Sequence, residues 1–558
     1  MPPRAIWLLS VLLAVGACAP AAKLSDPRGD AAPPDANVQN RALNMVVRTE
    51  GVTAAAKGLQ TTGVRGAPVS MFNAGLAILD LQQVPHPYLS ESLPALNTDD
   101  WRVFPDGRME TTYHLKPGLT WQDGTPLSAE DFVFALQVYS NPRFGASSPT
   151  PQDRIDEIRA PDDRTVVIEW TQPYPEAGQV AAEDLQALPR HILSDPLARL
   201  DPDAFAAHPF WTREYVGLGP YRIEEWTPGV GLDAVAFRGY VLGTPKIGRI
   251  HVAYMDDPNT VLANLLSGAM DVAISNAVPF AQALVLRRQW GSTGVVLARP
   301  RSARTTEFQL DPDRVAPSFA GTLDVRVRMA MAHAIDKQAV NDGVFEGQGI
   351  AADTRILPSD EIFPAVDAAI AKYPYDLRKS EQLMNSAGFT KGADGIYVSP
   401  GGLRFTGEDW IAANPQSETT QNIMLDTWKR AGFEMTSHFL SQAEQREARI
   451  RAERPGTYTG DGGSLETLGS DSIPRPENRW TGSNRGSYSS PEYDRLLEAW
   501  HSRLDRKERQ QAMIDMAKLY SKDLPSIPIH YNLGVTAHTA SLTGPSDEAT
   551  DIHLWSWK

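Results

Sequence analysis

The sequence predicts an α/β protein with more than one domain. Its 558 residues exceed what a single hydrophobic core usually holds, since a domain typically has about 150 residues. The segment Val216–Ser275 alternates strands with a helix, and strand, helix, strand is the repeating unit of an α/β sheet. From Thr305 onward helical patterns dominate, until strand character returns at Leu524–Gly544.

The first 18 residues have the pattern of a secretory signal peptide. Arg4 precedes an apolar run from Ala5 to Ala17, and the run ends in "VGAC", which resembles a bacterial lipobox. Cys18 would then be lipidated and become the first residue after cleavage, and two or more acyl chains would hold the protein at a membrane. Residues 19–41 are rich in Ala, Pro and Asp and predict a flexible tether.

Composition excludes several classes of site. The chain has 53 basic and 68 acidic side chains and a formal net charge of −15, which argues against a nucleic-acid partner because phosphate binding needs clustered positive charge. Cys18 is the only cysteine, so an intramolecular disulfide or a cysteine metal cluster is impossible.

The folded part is expected to begin near Ala42, where "ALNMVVRTE" predicts a strand. Between Glu91 and Trp170 short strand-like segments alternate with turns, and one helix is inserted. Farther on, Pro258–Leu266 predicts a helix that Gly268 closes. Further helices are predicted at Leu323–Val340, Asp376–Phe389, Glu418–Phe433 and Ser490–Tyr520.

The segment Leu115–Leu136, "LKPGLTWQDGTPLSAEDFVFAL", raises the question of a catalytic loop. Asp123 precedes a glycine and is interpreted as a turn former rather than a general acid. Ser128 and Asp131 have the spacing of a capping box and predict a helix start. Trp121 is interpreted as packing. The segment therefore predicts a framework element rather than a site.

The chain lacks the usual short motifs of catalysis: a nucleophile elbow, a phosphate loop, a dinucleotide fingerprint and a zinc-protease helix. Its 11 histidines include no pair four residues apart on a predicted helix, so neither a metal site nor a cofactor is predicted. A surface-anchored hydrolase remains an alternative, although the sequence supplies no convergent pair of titratable groups for it.

Six segments occur in an order that resembles the bacterial extracellular solute-binding proteins of family 5, which serve ABC importers of peptides and nickel. They are "LKPGLTWQDGTPLSAEDFVFAL", "GLGPYRIEEW", "LLSGAMDVAI", "LDVRVRMAMAHAIDKQAV", "DLRKSEQLMNSAGF" and "PSIPIHYN". The resemblance implies a bilobal, periplasmic-binding-protein-like α/β fold. Lobe I would comprise residues 42–303 and 523–558 with an extra subdomain, and lobe II residues 304–522. Two hinge crossings would let the lobes close around a ligand.

The resemblance also implies the function: a monomeric, lipid-anchored receptor outside the cytoplasm that captures a peptide and delivers it to a permease, without catalysis. The cargo could instead be an oligosaccharide, an opine-like compound or a nickel complex, because "TYTGDGGSLETLGSDSIPRPENRW" departs from the acidic motif of the peptide binders.

The residues expected near the ligand come from both predicted lobes. Asp461 is the candidate partner of a ligand ammonium group, with Asp471 as its competitor, and "DWIAANPQSETTQ" resembles a strand, pocket loop and helix that would bring Trp410 and Asn414 to the ligand. Two more candidates follow from position and chemistry: Glu50, at the end of the first strand, and Arg355, whose planar fork could hold a carboxylate.

Overall fold

The computed structural model describes residues 42–59, 69–80, 84–144, 151–274, 277–478, 480, 482–545 and 554–558, so the predicted signal peptide and tether lie outside the described residues. The strands are β1 (Ala42–Val47), β2 (Ala77–Leu79), β3 (Pro85–Pro87), β4 (Trp101–Val103), β5 (Met109–His114), β6 (Ile155–Asp162), β7 (Thr165–Trp170), β8 (Tyr221–Thr227), β9 (Gly231–Ala236), β10 (Arg249–Tyr254), β11 (Val272–Ala273), β12 (Gly294–Phe308), β13 (Thr390–Lys391), β14 (Tyr397–Val398), β15 (Thr406–Ala412), β16 (Glu434–Leu440), β17 (Thr457–Gly462) and β18 (Ser526–Thr539).

The helices are α1 (Glu130–Tyr139), α2 (Arg190–Arg199), α3 (Pro202–Ala206), α4 (Pro258–Ser267), α5 (Phe280–Trp290), α6 (Val325–His333), α7 (Lys337–Phe345), α8 (Phe363–Ala369), α9 (Leu377–Ser386), α10 (Pro415–Ala431), α11 (Gln442–Arg446), α12 (Ala448–Ala452), α13 (Pro491–Ser502) and α14 (Arg506–Asp523). Among the described residues, none of these helices is both long and apolar enough to cross a membrane.

One large mixed sheet runs through the molecule, in the order β16-β15-β17-β12-β18-β11-β1-β10-β9-β8. Its centre is the antiparallel pair of two long strands, β12 and β18, which stay paired from Gly294 with Thr539 to Glu307 with Ser526. On one side β18 continues to β11 and β1, and on the other β12 continues to β17 and β15. These two strands therefore connect the two halves of the sheet.

The predicted strand, helix, strand unit is confirmed. β10 and β11 both pair in parallel with β1, and α4 connects them. The side chain of Asp257 accepts a hydrogen bond from the Thr260 amide and caps the start of α4, while Gly268 ends it with a φ of +76°. The α/β class predicted from this segment is correct.

A separate antiparallel sheet in the order β4-β5-β7-β6 packs with α1, as the turn-rich sequence predicts. Asp123 accepts a hydrogen bond from the Thr125 amide at 2.9 Å and therefore forms the turn. Trp121 is 1% exposed and donates its indole N–H to Asp131 at 3.2 Å. The interpretation of this segment as a framework is therefore confirmed.

The predicted capping box of Ser128 and Asp131 is confirmed in only one of its two hydrogen bonds. The helix begins at Glu130, its N-cap is Ala129, and no side chain caps it. Instead the carboxylate of Asp131 accepts hydrogen bonds from the backbone amides of Ser128 and Arg190, at 3.0 and 3.1 Å. The bond from the Ser128 amide is the one that the three-residue spacing predicts, whereas the bond from the Arg190 amide connects α2 to α1 and is a tertiary contact that local spacing cannot predict.

Two predicted helices are each divided in the structure. Leu323–Val340 contains the end of α6 and the start of α7, where the side chain of Asp336 accepts the Ala339 amide at 2.9 Å. Ser490–Tyr520 is divided where Asp505 accepts the Glu508 amide at 2.9 Å and begins α14. In both cases an aspartate at an N-cap starts a new helix inside a continuous apolar pattern.

The hydrophobic interior consists of separate clusters. The largest packs side chains from residues 43–274 with residues 542–557, and the second packs residues 308–435 with residues 524–529. Another cluster joins α8, α13 and α14. The lobe boundaries at residues 303/304 and 522/523 stay predictions.

Candidate ligand site

The candidate site lies at one edge of the large sheet, between its two halves. β15 pairs in parallel with both β16 and β17, so these three strands end at the same edge. α10 begins there, three residues after β15 ends. Ligands of open α/β sheets bind beyond the carboxyl ends of such strands, so this edge is where a binding site is expected.

Asp461 lies near the end of β17 and pairs across the ladder with Arg304 of β12. Its Oδ1 accepts a hydrogen bond from Asn532 Nδ2 at 2.7 Å, and its Oδ2 lies 3.4 Å from Ser302 Oγ. The guanidinium groups of Arg301 and Arg304 each approach a carboxylate oxygen to 3.6 Å. The side chain is 47% exposed, so a ligand can reach it.

Asn414 belongs to the same cluster through the first turn of α10. It is the N-cap of α10, where its Oδ1 accepts the Ser417 amide at 2.9 Å and its Nδ2 donates to Ser417 Oγ at 2.8 Å. The same hydroxyl of Ser417 lies 3.3 Å from Arg304 Nη2. The structure therefore brings the predicted residues Asn414 and Asp461 into one polar cluster.

Trp410 lies on the face of the sheet opposite to the one that carries the Asp461 side chain. It is in register with His438 of β16 and Tyr458 of β17, and Tyr458 points away from the side of Asp461 because side chains alternate along a strand. The indole stacks on the His438 ring with centroids 4.1 Å apart and donates to Glu408 at 3.0 Å. Trp410 is thus separated from Asp461 by the sheet itself.

Arg355 is buried behind the loop that follows β17. Its Nη2 donates to Ser526 Oγ at 2.9 Å, its Nη1 reaches the carbonyl of Gly463 at 3.4 Å, and its guanidinium lies over the Tyr520 ring. Residue exposure is 8%. In this conformation Arg355 supports the loop from behind.

Glu50 holds a hairpin in the first half of the sheet. Its carboxylate accepts the Trp226 indole N–H at 2.6 Å and the Gly229 amide at 2.8 Å, at the connection between β8 and β9. None of its described hydrogen bonds reaches the cluster around Asp461. Asp471, the competitor of Asp461, lies exposed in a 3-10 turn, Ser470–Ser472.

Sequence reasoning did not select Arg301, Ser302, Arg304 and Asn532. The signal was an arginine-rich segment, "RPRSAR" at residues 299–304, but these residues contact Asp461 only because β12, β17 and β18 are neighbours. Behind Arg304, His530 is fully buried, and burial together with the nearby guanidinium lowers its pKa to about 4. His530 is therefore neutral at neutral pH.

The two halves also touch away from the central strands. Arg509 of α14 forms an ion pair with Glu176, and Arg154 Nη1 donates to the carbonyl of His501 at 3.1 Å. Arg509 stacks on the neighbouring Trp500, 4.4 Å from the ring centroid. These polar contacts join segments that flank the four-stranded sheet to helices α13 and α14.

A metal centre was not predicted, and within the described ranges no group of three or more His, Cys, Asp or Glu side chains has the geometry to hold a metal ion. The polar cluster around Asp461 offers instead two guanidinium groups, amides and hydroxyls. Those groups hydrogen-bond to the polar and charged groups of an organic solute.

Known proteins resemble the chain in sequence and in fold. The family model described as "Bacterial extracellular solute-binding proteins, family 5 Middle" matches residues 91–467. A Brucella ovis protein named as an ABC transporter peptide-binding protein is 26% identical over 296 residues, which are 52% of this chain and 51% of that protein. The chain thus spans about half the length of the first curated relatives it matches.

Two solved structures share the fold over nearly the whole chain. NikZ from Campylobacter jejuni in complex with Ni(L-His) is 20% identical, with a TM-score of 0.75 over 93% of this chain and 99% of that one. The periplasmic oligopeptide-binding protein of a Thermotoga maritima oligopeptide ABC transporter is 18% identical, with a TM-score of 0.76 over 93% and 99%. Both confirm the predicted α/β periplasmic solute-binding fold.

Proposed function

Because the chain belongs to the bacterial extracellular solute-binding proteins of family 5, we propose that it captures a peptide outside the cytoplasm and delivers it to the permease of an ABC importer. The observation that carries this proposal is the polar cluster around Asp461. It lies at the carboxyl ends of parallel strands and between the two halves of the sheet, and it is open to solvent.

The proposed binding mode is closure of two lobes over the peptide. β12 and β18 are the two strands that run through both halves, and bending there would move one half relative to the other. The ion pair between Arg509 and Glu176 joins the two halves in this conformation, so it would have to break or rearrange when the halves move apart. A ligand that binds only the closed form would shift the population toward it.

Among the predicted binding residues, Asp461 and Asn414 are the two that lie in the polar cluster where we place the peptide. Arg355 would act by supporting the loop after β17, and a rearrangement of that loop would be needed before it could reach a ligand. Glu50 would contribute through the hairpin that it holds, and Trp410 through its stacking on His438.

Membrane attachment is a further part of the proposal. Cys18 would carry the lipid, and residues 19–41 would connect it to the folded body. A Cys18→Ser variant should appear in the soluble fraction of cells, whereas the unmodified protein should sediment with membranes. Equal partition of both proteins would contradict lipid anchoring and leave the receptor role untouched.

The ligand proposal can be tested by thermal unfolding of residues 42–558, which contain all of the described structure. Pools of di- to hexapeptides, oligosaccharides, opines and nickel complexes would be compared at equal concentration. A ligand at about 100 times its Kd stabilises the folded state by about 2.7 kcal/mol, which gives a measurable rise in Tm. A rise with peptides supports the proposal, and a rise only with another class would change the cargo.

A further inference from the structure

We propose that Arg304, together with Arg301 and the first turn of α10, forms a subsite for a carboxylate of the ligand, and that Asp461 positions the two guanidinium groups. The inference rests on the proposed function and specifies which chemical group of the solute the site recognises. It departs from the sequence-based expectation that Asp461 binds a ligand ammonium group.

The Arg304 side chain is buried and has few close hydrogen-bond partners. Arg304 is 9% exposed, yet its nearest polar contacts are long: 3.3 Å from Nη2 to Ser417 Oγ and 3.6 Å from Nη1 to an oxygen of Asp461. Its Nε has no hydrogen-bond partner among the described residues. A guanidinium has five donors, and leaving them poorly satisfied in a buried position costs free energy. An acceptor supplied by a ligand would remove that cost.

Two arginines and one asparagine share the carboxylate of Asp461. Arg304 approaches Oδ1 and Arg301 approaches Oδ2, both at 3.6 Å, and Asn532 donates its amide to Oδ1 at 2.7 Å. A ligand carboxylate beside Asp461 would be repelled by one carboxylate and attracted by two guanidinium groups, whereas an ammonium group would be attracted by one charge and repelled by two. His530 adds no positive charge at neutral pH because its pKa is lowered to about 4.

Helix α10 begins beside Arg304. This helix of 17 residues begins at Pro415, and Ser417 in its first turn contacts Arg304. The start of a helix carries a partial positive charge, which favours an anion and disfavours a cation. The helix start therefore adds to the field of the two guanidinium groups instead of opposing it.

A carboxylate bound here would accept hydrogen bonds from the planar fork of Arg304, the arrangement in which arginine recognises carboxylates best. Asp461 would hold the guanidinium groups of Arg301 and Arg304 near each other, one at each of its carboxylate oxygens. For a peptide, the group bound would be the terminal carboxylate or an acidic side chain.

The test compares one pool of di- to hexapeptides without Asp or Glu in three forms: unmodified, N-acetylated and C-amidated. Dissociation constants would be measured by calorimetry for the unmodified protein and for Arg304→Gln, Arg304→Lys and Asp461→Asn. Arg326→Gln is the matched control, because Arg326 is an exposed arginine on α6 whose carboxylate partner, Asp324, is two residues away.

We expect C-amidation to weaken binding by about 10- to 100-fold, which is the usual effect of losing one charge-assisted hydrogen-bonded contact, and N-acetylation to have little effect. Arg304→Gln should bind the unmodified and C-amidated pools equally, and Arg304→Lys should recover part of the preference. Arg326→Gln should keep the preference for a free carboxylate in full. Asp461→Asn should reduce this preference without reversing it, because it removes the charge that positions the two guanidinium groups.

The opposite selectivity would overturn the inference: loss of binding on N-acetylation and in Asp461→Asn, with no effect of C-amidation, would make Asp461 an ammonium partner. The peptide modifications test the subsite even if a variant fails to fold. If no form of the pool binds the unmodified protein, peptide capture itself is wrong, and the subsite inference built on it falls as well.

Discussion

Asp409 and Asp461 lie on neighbouring strands of one sheet and face the same helix, but their surroundings differ. Asp409 is fully buried and accepts hydrogen bonds from Gln421 Nε2 at 2.8 Å and from the hydroxyls of Thr457 and Thr459 at 2.7 and 2.9 Å. Asp461 is half exposed and faces the guanidinium groups of two arginines. The first acid is enclosed by neutral donors, and the second is open to exchange partners.

The face of α10 that packs on the sheet explains this difference. Ser417, Gln421, Met424 and Trp428 follow one another along that face, and all are buried. Along this face the contacts of the helix change from the polar cluster at its start, to the enclosed carboxylate of Asp409, and then to an apolar core. Asp409, which packs against the middle of α10, therefore has a structural role. Asp461, which lies near the exposed start of α10, can change partners when a ligand enters.

The largest effect is expected for Asp409→Ala. Removing the carboxylate takes away a buried acceptor of the Thr457 and Thr459 hydroxyls and leaves the Gln421 amide only the backbone carbonyl of residue 409, which should lower the free energy of unfolding by about 3 kcal/mol. Urea unfolding followed by tryptophan fluorescence would measure this. An exposed acid, as in Asp471→Ala, is the control, and equal stability of the two variants would contradict a structural role for Asp409.

The next largest effect is a dependence of the free energy of unfolding on pH, through Asp409. Burial raises the pKa of the Asp409 carboxyl, and its three hydrogen bonds offset this only in part. Between the unfolded carboxyl pKa, about 4, and the folded one, the folded state binds one more proton, so the free energy of unfolding falls as pH rises. Asp409→Asn removes this contribution. Its stability relative to the unmodified protein should therefore increase with pH, by at most about 1.4 kcal/mol per pH unit.

Urea unfolding of both proteins at intervals from about pH 4 to about pH 7 would check the sign, because the other titrating groups cancel in the difference. A difference that stays constant would mean that Asp409 titrates alike in both states. A difference that falls with pH would mean that its donors outweigh burial and hold it ionised.

The fold could be predicted from the sequence because its signals are local. The crossover around α4 has an aspartate cap, a helical pattern and a closing glycine, all within one segment. The divisions at Asp336 and Asp505 were missed because the apolar pattern continues through them and neither glycine nor proline marks the break. An N-cap aspartate inside such a pattern looks the same as an exposed helical one.

The site could be predicted only in part because its contacts are distant in sequence. Asp461 and Asn414 were selected by family resemblance, but their shared neighbour Arg304 lies more than 100 residues before both. The partners of Glu50, Trp226 and Gly229, are likewise far along the chain. Pattern alone cannot tell whether an acid will meet cations, indoles or amides, since the sheet order decides that.

The smallest effect on stability is expected for Asp461→Asn, and this variant completes the comparison with Asp409. Its two arginines are 3.6 Å away and the side chain is half exposed, so the ion pairs should contribute less than about 1 kcal/mol to the free energy of unfolding. The asparagine can still accept a hydrogen bond from the amide of Asn532, so the shortest hydrogen bond of the carboxylate is kept.

Urea unfolding of Asp461→Asn beside Asp409→Ala, with Arg326→Gln as an exposed ion-pair control, would measure this loss of stability. A loss as large as that of Asp409→Ala would mean that Asp461 holds β12, β17 and β18 together, and the distinction between an enclosed and an exchangeable acid would fail.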